Sequence, residues 1–313
     1  MTTVNDVMGK LFEFSHQPAN ELSITQWKAL FDDERANWQH SIDQALLGGV
    51  LADRTAFAFS SGYLSALRLM FPNFIHDGFA SLCVTEEEGN HPKAIKATLK
   101  KQGGQWVLNG LKTFVTGGCD AEQLFIAATT DEVVDGRQQI RVIRVLVGQQ
   151  GMLVTALPTL PFVPEVSHAT VRFENAVINA TDILSGDGYS DYVKLFRTIE
   201  DIHVSMAILG YVARTAILHQ WPTLLVEQIL ALILSHRQLG LMDPGCTMTH
   251  LVLAGARQQM EVLLECVGVE WEKADKKGFE SWERDKALLK IAGKAGSQRR
   301  KNAWAAIDLS QKC

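Results

Sequence analysis

The chain has 313 residues, 47% hydrophobic and 21% charged, a balance that supports packed cores and excludes a disordered or fibrous chain. A formal net charge of -5, with no Lys/Arg run beyond Arg299-Arg300-Lys301, gives no footprint for a phosphate backbone. Nucleic acid is therefore not an expected partner. Five scattered cysteines, Cys83, Cys119, Cys246, Cys266 and Cys313, lack CxxC or Cys/His spacing, so reduced thiols in the cytoplasm and no metal site are expected. The opening Met1-Thr-Thr-Val-Asn-Asp lacks the cationic and apolar parts of a signal peptide. Leu224 to Leu234, the most apolar stretch, is interrupted by Glu227 and Gln228 and is roughly half the ~20 residues of a membrane span. A soluble protein without a membrane span is expected.

From Ile24 to Met70 apolar residues recur at helical spacing, as in Trp38-Gln-His-Ser-Ile-Asp-Gln-Ala-Leu-Leu, and two or three helices are expected. Phe71-Pro72-Asn73 ends that pattern. From Phe79 the texture turns to short β-type runs: Ala80 to Val84, Ala94 to Lys100, Gln105 to Leu108, Lys112 to Thr116, Gln123 to Ala128, Ile140 to Val147 and Thr170 to Phe173. Asn109-Gly110 predicts a two-residue hairpin turn between the third and fourth of these, because such turns need positive φ. Gly103-Gly104 and Asp135-Gly136 predict two further turns, and Pro158, Pro161 and Pro164 keep their stretch out of any central strand.

After Gly186-Asp-Gly188 the pattern is helical, with candidate helices at Ser190 to Gln220, Leu224 to Gly240, Thr247 to Lys276 and Glu280 to Ser310. The order helices, strands, helices predicts an α+β fold with N-terminal helices (1–78), a central β-barrel or sandwich domain (79–188) and a C-terminal helical bundle (189–313).

Leu82-Cys-Val-Thr-Glu-Glu-Glu-Gly-Asn-His-Pro, then Thr98, then Trp106-Val-Leu-Asn-Gly-Leu-Lys-Thr-Phe-Val-Thr-Gly-Gly, resembles the signature of the acyl-CoA dehydrogenase family in residue type and in spacing. Val171-Arg-Phe-Glu-Asn-Ala-Val-Ile-Asn followed by Gly186-Asp-Gly188 is similar to a later strand and turn of that family. The resemblance is clearest from Ser81 to Gly210 and implies FAD as cofactor, an acyl-CoA or related acyl thioester as substrate, and desaturation at the α,β position. It implies that Val84 and Thr85 meet the pyrimidine edge of the flavin and that the Thr116 hydroxyl lies near N5. Phe114, standing where the family has tryptophan, would cover the ring, and His91 would lie near the pyrophosphate. It also implies an electron-transfer flavoprotein as possible electron acceptor and a homo-oligomer, dimer or tetramer.

The chemistry requires a carboxylate that removes the α-proton while a hydride leaves for the flavin, with its pKa raised once substrate desolvates it. The Tyr-Glu-Gly-Thr type motif that carries this base in most members is absent from the printed chain. In another branch the base sits on the first C-terminal helix, ten residues before the glycine of a Leu-Gly pair. In Phe196-Arg-Thr-Ile-Glu-Asp-Ile-His-Val-Ser-Met-Ala-Ile-Leu-Gly210 that residue is Glu200. Arg197 and His203 flank it at three residues and share its helix face. The alternative for Arg197, Glu200 and Asp201 is a solvated helix face, and for His203 a hydrogen-bonded packing residue.

Three departures from the family stand out. Asn90-His91-Pro92 replaces Gly-Ser-Asp, the N-terminal helical region is short, and Arg-x-x-Phe-Gly is reduced to Arg237-Gln-Leu-Gly240 without a Gln-x-x-Gly-Gly-x-Gly segment after it. These leave two other readings open: a flavin-dependent oxidase or monooxygenase on the same scaffold, and a degenerate acyl-thioester-binding or subunit-like protein without stable FAD.

Overall fold

The computed structural model describes residues 3–17, 21–290 and 293–310. Cys313, one of the five cysteines, lies outside them, while Cys83 is buried and Cys119, Cys246 and Cys266 are exposed free thiols.

Helix α1, Val4–Ser15, precedes the region where helices are expected. It starts at a capping box in which the Thr3 hydroxyl accepts from the Asp6 amide and the Asp6 carboxylate accepts from the Thr3 amide. Ser23 and Gln26 repeat the device at α2, Ile24–Arg35. Two helices follow, α3 at Ser41–Leu51 and α4 at Thr55–Met70. Strands β1 (Ala80–Cys83), β2 (Thr98–Gln102), β3 (Gln105–Thr116), β4 (Gln123–Val134), β5 (Arg137–Leu146), β6 (Met152–Ala156) and β7 (His168–Ile178) then form one sheet. A π-turn at Gly188–Val193, capped by the Asp187 carboxylate, leads into α5 (Lys194–Leu218). Helices α6 (Thr223–Gly240), α7 (Thr247–Ala274), α8 (Lys276–Asp285) and α9 (Gly293–Ser310) complete the chain.

Contacts divide the chain into two compact units. The helical unit comprises Met1–Leu69, Pro161–Glu165 and Thr198–Cys313, and the sheet unit Met70–Leu160 and Val166–Arg197. The division falls inside α5, between Arg197 and Thr198.

In the helical unit the backbones of α3 and α5 meet at Gly49, where an added Cβ would lie 1.9 Å from the Ala207 carbonyl oxygen. Only a residue without a side chain permits that approach. Trp27 stacks on Phe31 and Phe57, and Trp271 is packed among Tyr211, Trp221 and Trp282. Gly188–Leu218 is long and apolar enough to cross a membrane by length and composition, but 72% of its apolar window is buried, as in a core helix.

In the sheet unit β1 and β2 run parallel to β4 and follow one another along the same edge of it. Antiparallel pairs β2–β3, β3–β7, β7–β6 and β4–β5 extend the sheet on both sides. Bulges in β3 and β4 curl it, since an extra residue bends a strand and increases its twist. The fold is α+β, with N-terminal helices, a curled central sheet and C-terminal helices.

Several local expectations need correction. Asn109-Gly110 is not a hairpin turn: β3 runs straight through it, with a register shift against β7 between Leu108 and Gly110. The positive φ of Gly110, 145°, serves that bulge, and an added Cβ would lie 2.6 Å from the Ala97 Cα. The chain does reverse at Gly103-Gly104, where a turn is expected, with φ of 57° and 85°. Ala94 belongs to a 3-10 turn, Pro92–Ala94, and β2 begins only at Thr98. Strand β6 arises where no strand is expected, paired with β7 through Met152 to Ala156. The helix expected from Glu280 to Ser310 is instead α8, a 3-10 turn at Lys286–Lys290 and α9, with residues 291–292 outside the description. Asp285 is anchored where α8 ends: its buried carboxylate accepts from the Val163 amide at 2.8 Å.

Candidate functional site

The end of β1 and the second half of β3 build the site from neighbouring strands. The Thr85 carbonyl accepts from the Thr113 amide at 2.9 Å, and the Ser81 hydroxyl donates to the Thr116 carbonyl at 2.5 Å. Val84 and Thr85 are thereby held beside Thr116. Between Lys112 and Val115 the β3–β7 register shifts, and Phe114 sits at φ 51° with 59% of its surface exposed. A left-handed backbone at a non-glycine residue costs about 1–3 kcal/mol and persists only where its surroundings enforce it. The bulge thus presents an aromatic ring flanked by two half-buried threonines, whose hydroxyls have no hydrogen-bond partner among the described residues.

Behind this wall lies a buried ion pair. Lys112 Nζ is 2.6 Å from Glu86 Oε1 and donates to the Val84 carbonyl at 3.3 Å, with its side chain 0% exposed. Glu86 also accepts from the amides of Lys96 and Ala97 at 2.8 and 3.1 Å. Burial pushes the lysine pKa down, and the Glu86 carboxylate opposes that shift. The pair ties the end of β1, the loop before β2 and β3 into one rigid corner.

His91 lies in that loop, exposed, and its Nδ1 accepts from the Lys93 amide at 3.2 Å as the cap of the 3-10 turn. Arg197 donates from Nη2 to the adjacent Asn90 carbonyl at 2.7 Å, so a guanidinium joins His91 at this corner of the sheet unit.

Glu200 belongs to the helical unit, half-buried on α5. The residues around it do not form a solvated face. Asp201 is half-buried, its side chain 10% exposed, and is paired with Arg257 at 3.5 Å and with Arg299; desolvation raises its pKa while the two guanidiniums act to lower it. His203 is a packing residue, 1% exposed, with Nδ1 on the Ile199 carbonyl at 2.8 Å and Nε2 2.9 Å from the Ser41 hydroxyl. Burial pushes its pKa down to about 4, so it is neutral near pH 7. Arg237 is engaged inside the same unit, bidentate on the fully buried Asp43 at 2.7 and 3.0 Å.

The structure therefore brings Val84, Thr85, Phe114 and Thr116 together, adds His91 through the loop, and places Glu200 on a different unit. Glu86 and Lys112 both lie in the quoted motif but went unread, because a charged residue ordinarily reads as solvent-facing. It also passed over His168, whose relation to Thr116 depends on strand register. Among the described residues no cluster of three His, Cys, Asp or Glu side chains could hold a metal ion.

No protein-family model and no curated protein matches this sequence. Solved structures do match it, over nearly the whole of its length. Butyryl-CoA dehydrogenase from Megasphaera elsdenii superposes with a TM-score of 0.74 at 14% identity, covering 97% of this chain and 100% of that one. The prolyl acyl carrier protein oxidase AnaB gives 0.69 at 15% identity, covering 98% and 99%. The FAD complex of PigA gives 0.71 at 12% identity, covering 97% and 99%. The chain has the acyl-CoA dehydrogenase fold.

Proposed function

We propose that the chain is an FAD-dependent oxidoreductase that desaturates an acyl-CoA, or a related acyl thioester, at the α,β position. The observation that carries this reading is the wall formed by Thr85, Phe114 and Thr116. An exposed aromatic ring on an enforced bulge, flanked by two unpartnered hydroxyls, suits a flat heteroaromatic ring with polar edges. The structural neighbours support FAD as that group, since PigA was solved with it.

When bound, the flavin would supply the hydride acceptor. Val84 and Thr85 would stand against its pyrimidine edge, Phe114 would cover the ring, and the Thr116 hydroxyl would be available to donate to it. His91 Nε2 and the Arg197 guanidinium supply hydrogen-bond donors for a pyrophosphate. Glu200 removes the α-proton of the thioester, its carboxylate becoming a stronger base as the acyl chain excludes water. An electron-transfer flavoprotein would serve as electron acceptor.

A homo-oligomer is part of this proposal. Along α7 the exposed side chains Met248, Val252, Val262, Cys266 and Val269 lie on one heptad stripe, with the exposed Gly255 and Gln259 at its two intervening positions, the pattern of a helix-pairing seam.

The exposure of Phe114 favours a second reading, a flavin oxidase on the same scaffold, since an open wall admits oxygen and the neighbour AnaB is named an oxidase. Consumption of oxygen with peroxide release on adding substrate distinguishes it.

The test of the cofactor is an absorbance spectrum after incubation with FAD and removal of excess. Retained flavin in the wild type, with at least tenfold weaker binding in Thr116→Val or Phe114→Asp, supports the reading. A colourless wild type refutes it and leaves an acyl-thioester-binding protein without FAD.

A further inference from the structure

His168 opens β7, and the register places it opposite Thr116. The Gly117 amide donates to the Ser167 carbonyl at 2.7 Å, whereas the His168 carbonyl accepts from Leu157, just past β6, at 2.8 Å. Gly117 and Ser167 are therefore a hydrogen-bonded pair. Thr116 and His168 are then a non-hydrogen-bonded pair, the type in which Cα atoms stand about 4.5 Å apart and side chains come closest. The preceding pair, Val115 with Ala169, is buried. One residue on, Thr116 and His168 both turn to the opposite face, and both are half-buried there.

The imidazole has a defined polarity. His168 Nδ1 lies 3.1 Å from the Val166 carbonyl, which can only accept, so Nδ1 carries the hydrogen and Nε2 keeps its lone pair. Burial lowers the pKa of this histidine. The titratable groups on the adjoining turn are Asp120, which accepts from the Ser167 hydroxyl at 2.6 Å, and Cys119, whose thiol is 4.0 Å from the His168 carbonyl. Beside the Thr116 hydroxyl, a donor, stands an acceptor that the mechanism above does not use.

We propose that His168 is a second ring contact of the flavin site, an acceptor that distinguishes the two redox states of the cofactor. The inference rests on the flavin reading. In the oxidised ring N5 only accepts, which suits the Thr116 hydroxyl; in the two-electron-reduced ring N5 bears a hydrogen, which suits His168 Nε2. The imidazole therefore favours the reduced cofactor and contributes little to binding the oxidised one.

The experiment compares wild type, His168→Leu and His168→Gln, each reconstituted with FAD. It measures the dissociation constant of oxidised FAD by fluorescence, the two-electron midpoint potential by dye equilibration, and the imidazole resonances of His168 by NMR with and without FAD. His168→Leu is expected to bind oxidised FAD within about twofold of wild type. Losing one hydrogen bond to the reduced ring weakens reduced-state binding about tenfold, which lowers the midpoint potential by about 30 mV. His168→Gln, whose amide oxygen can accept, restores part of that shift, and the His168 resonances of the wild type move on adding FAD. If His168→Leu fails to fold, the glutamine variant and the NMR shift decide. An unchanged potential in a folded variant, or unmoved His168 resonances in a wild type that binds FAD, overturns the inference and leaves the flavin reading standing. A wild type that binds no FAD overturns both.

Discussion

Lys112 Nζ lies 2.6 Å from Glu86 Oε1, and neither side chain is more than 7% exposed. Removing one member of such a pair leaves the other as an uncompensated buried charge, which typically costs about 3–5 kcal/mol. Lys112→Met is expected to lose stability of that order in urea unfolding, and to bind FAD more weakly because the Val84 carbonyl loses its donor. The double variant Lys112→Met with Glu86→Gln should recover part of the loss, since no unpaired charge then remains. A single variant as stable as wild type would contradict the assignment.

His203 and His236 are both buried, and both have their pKa pushed down to about 4 by burial. Their folded-state values lie below the unfolded value of 6.5, so the unfolded chain binds more protons as the pH falls. Their contribution is present in full above about pH 6.5 and is lost progressively as pH falls towards 4. Between pH 7 and pH 5 each should remove about 2 kcal/mol of stability. His236→Leu, which deletes a ring whose Nε2 has no hydrogen-bond partner, should flatten the pH dependence by about that amount. Equal slopes for wild type and variant in unfolding at the two pH values would contradict this.

Gly49→Ala should destabilise the helical unit by more than an ordinary helix substitution. The added methyl would meet the Ala207 backbone, which cannot yield as a side chain can. Overpacking costs typically 1–3 kcal/mol, and the 1.9 Å approach puts the expectation at about 3 kcal/mol. Thermal unfolding compared with Gly255→Ala, where an added Cβ meets nothing within 4 Å, isolates the packing effect.

Charging the α7 seam tests the homo-oligomer. Val262 and Val269 are 61% and 53% exposed and one heptad apart. Val262→Arg with Val269→Arg should lower the mass seen by light scattering without changing the helical circular dichroism signal. An unchanged multimeric mass would place the interface elsewhere.

The order of helices, strands and helices was legible because periodicities of 3.6 and 2 survive in a single sequence. Thr85 and Thr116 were singled out by a motif whose spacing resembles the family pattern, and the fold sets their strand ends side by side through the Thr113–Thr85 and Ser81–Thr116 hydrogen bonds. Asn109-Gly110 misled because positive φ serves a bulge as readily as a hairpin, and only pairing partners tell them apart. Helix α1 carried a signal that went unused, Thr3 followed three residues later by Asp6, with Val7 and Leu11 on its buried face. The partnership of Arg237 with Asp43 spans 194 residues and that of Lys112 with Glu86 spans 26, and no local pattern announces either. His168 is the clearest case: its place beside Thr116 follows from register alone.

The central claim is tested most directly by anaerobic titration of the FAD-reconstituted protein with a panel of acyl-CoAs, following the flavin absorbance. The account predicts that one class of acyl-CoA bleaches the flavin of the wild type. It predicts that in Glu200→Gln, still binding FAD, bleaching slows by at least about a hundredfold, the scale on which a general base contributes. Bleaching at the wild-type rate in Glu200→Gln would remove Glu200 as the base, and flavin that no acyl thioester bleaches would contradict the desaturase account itself.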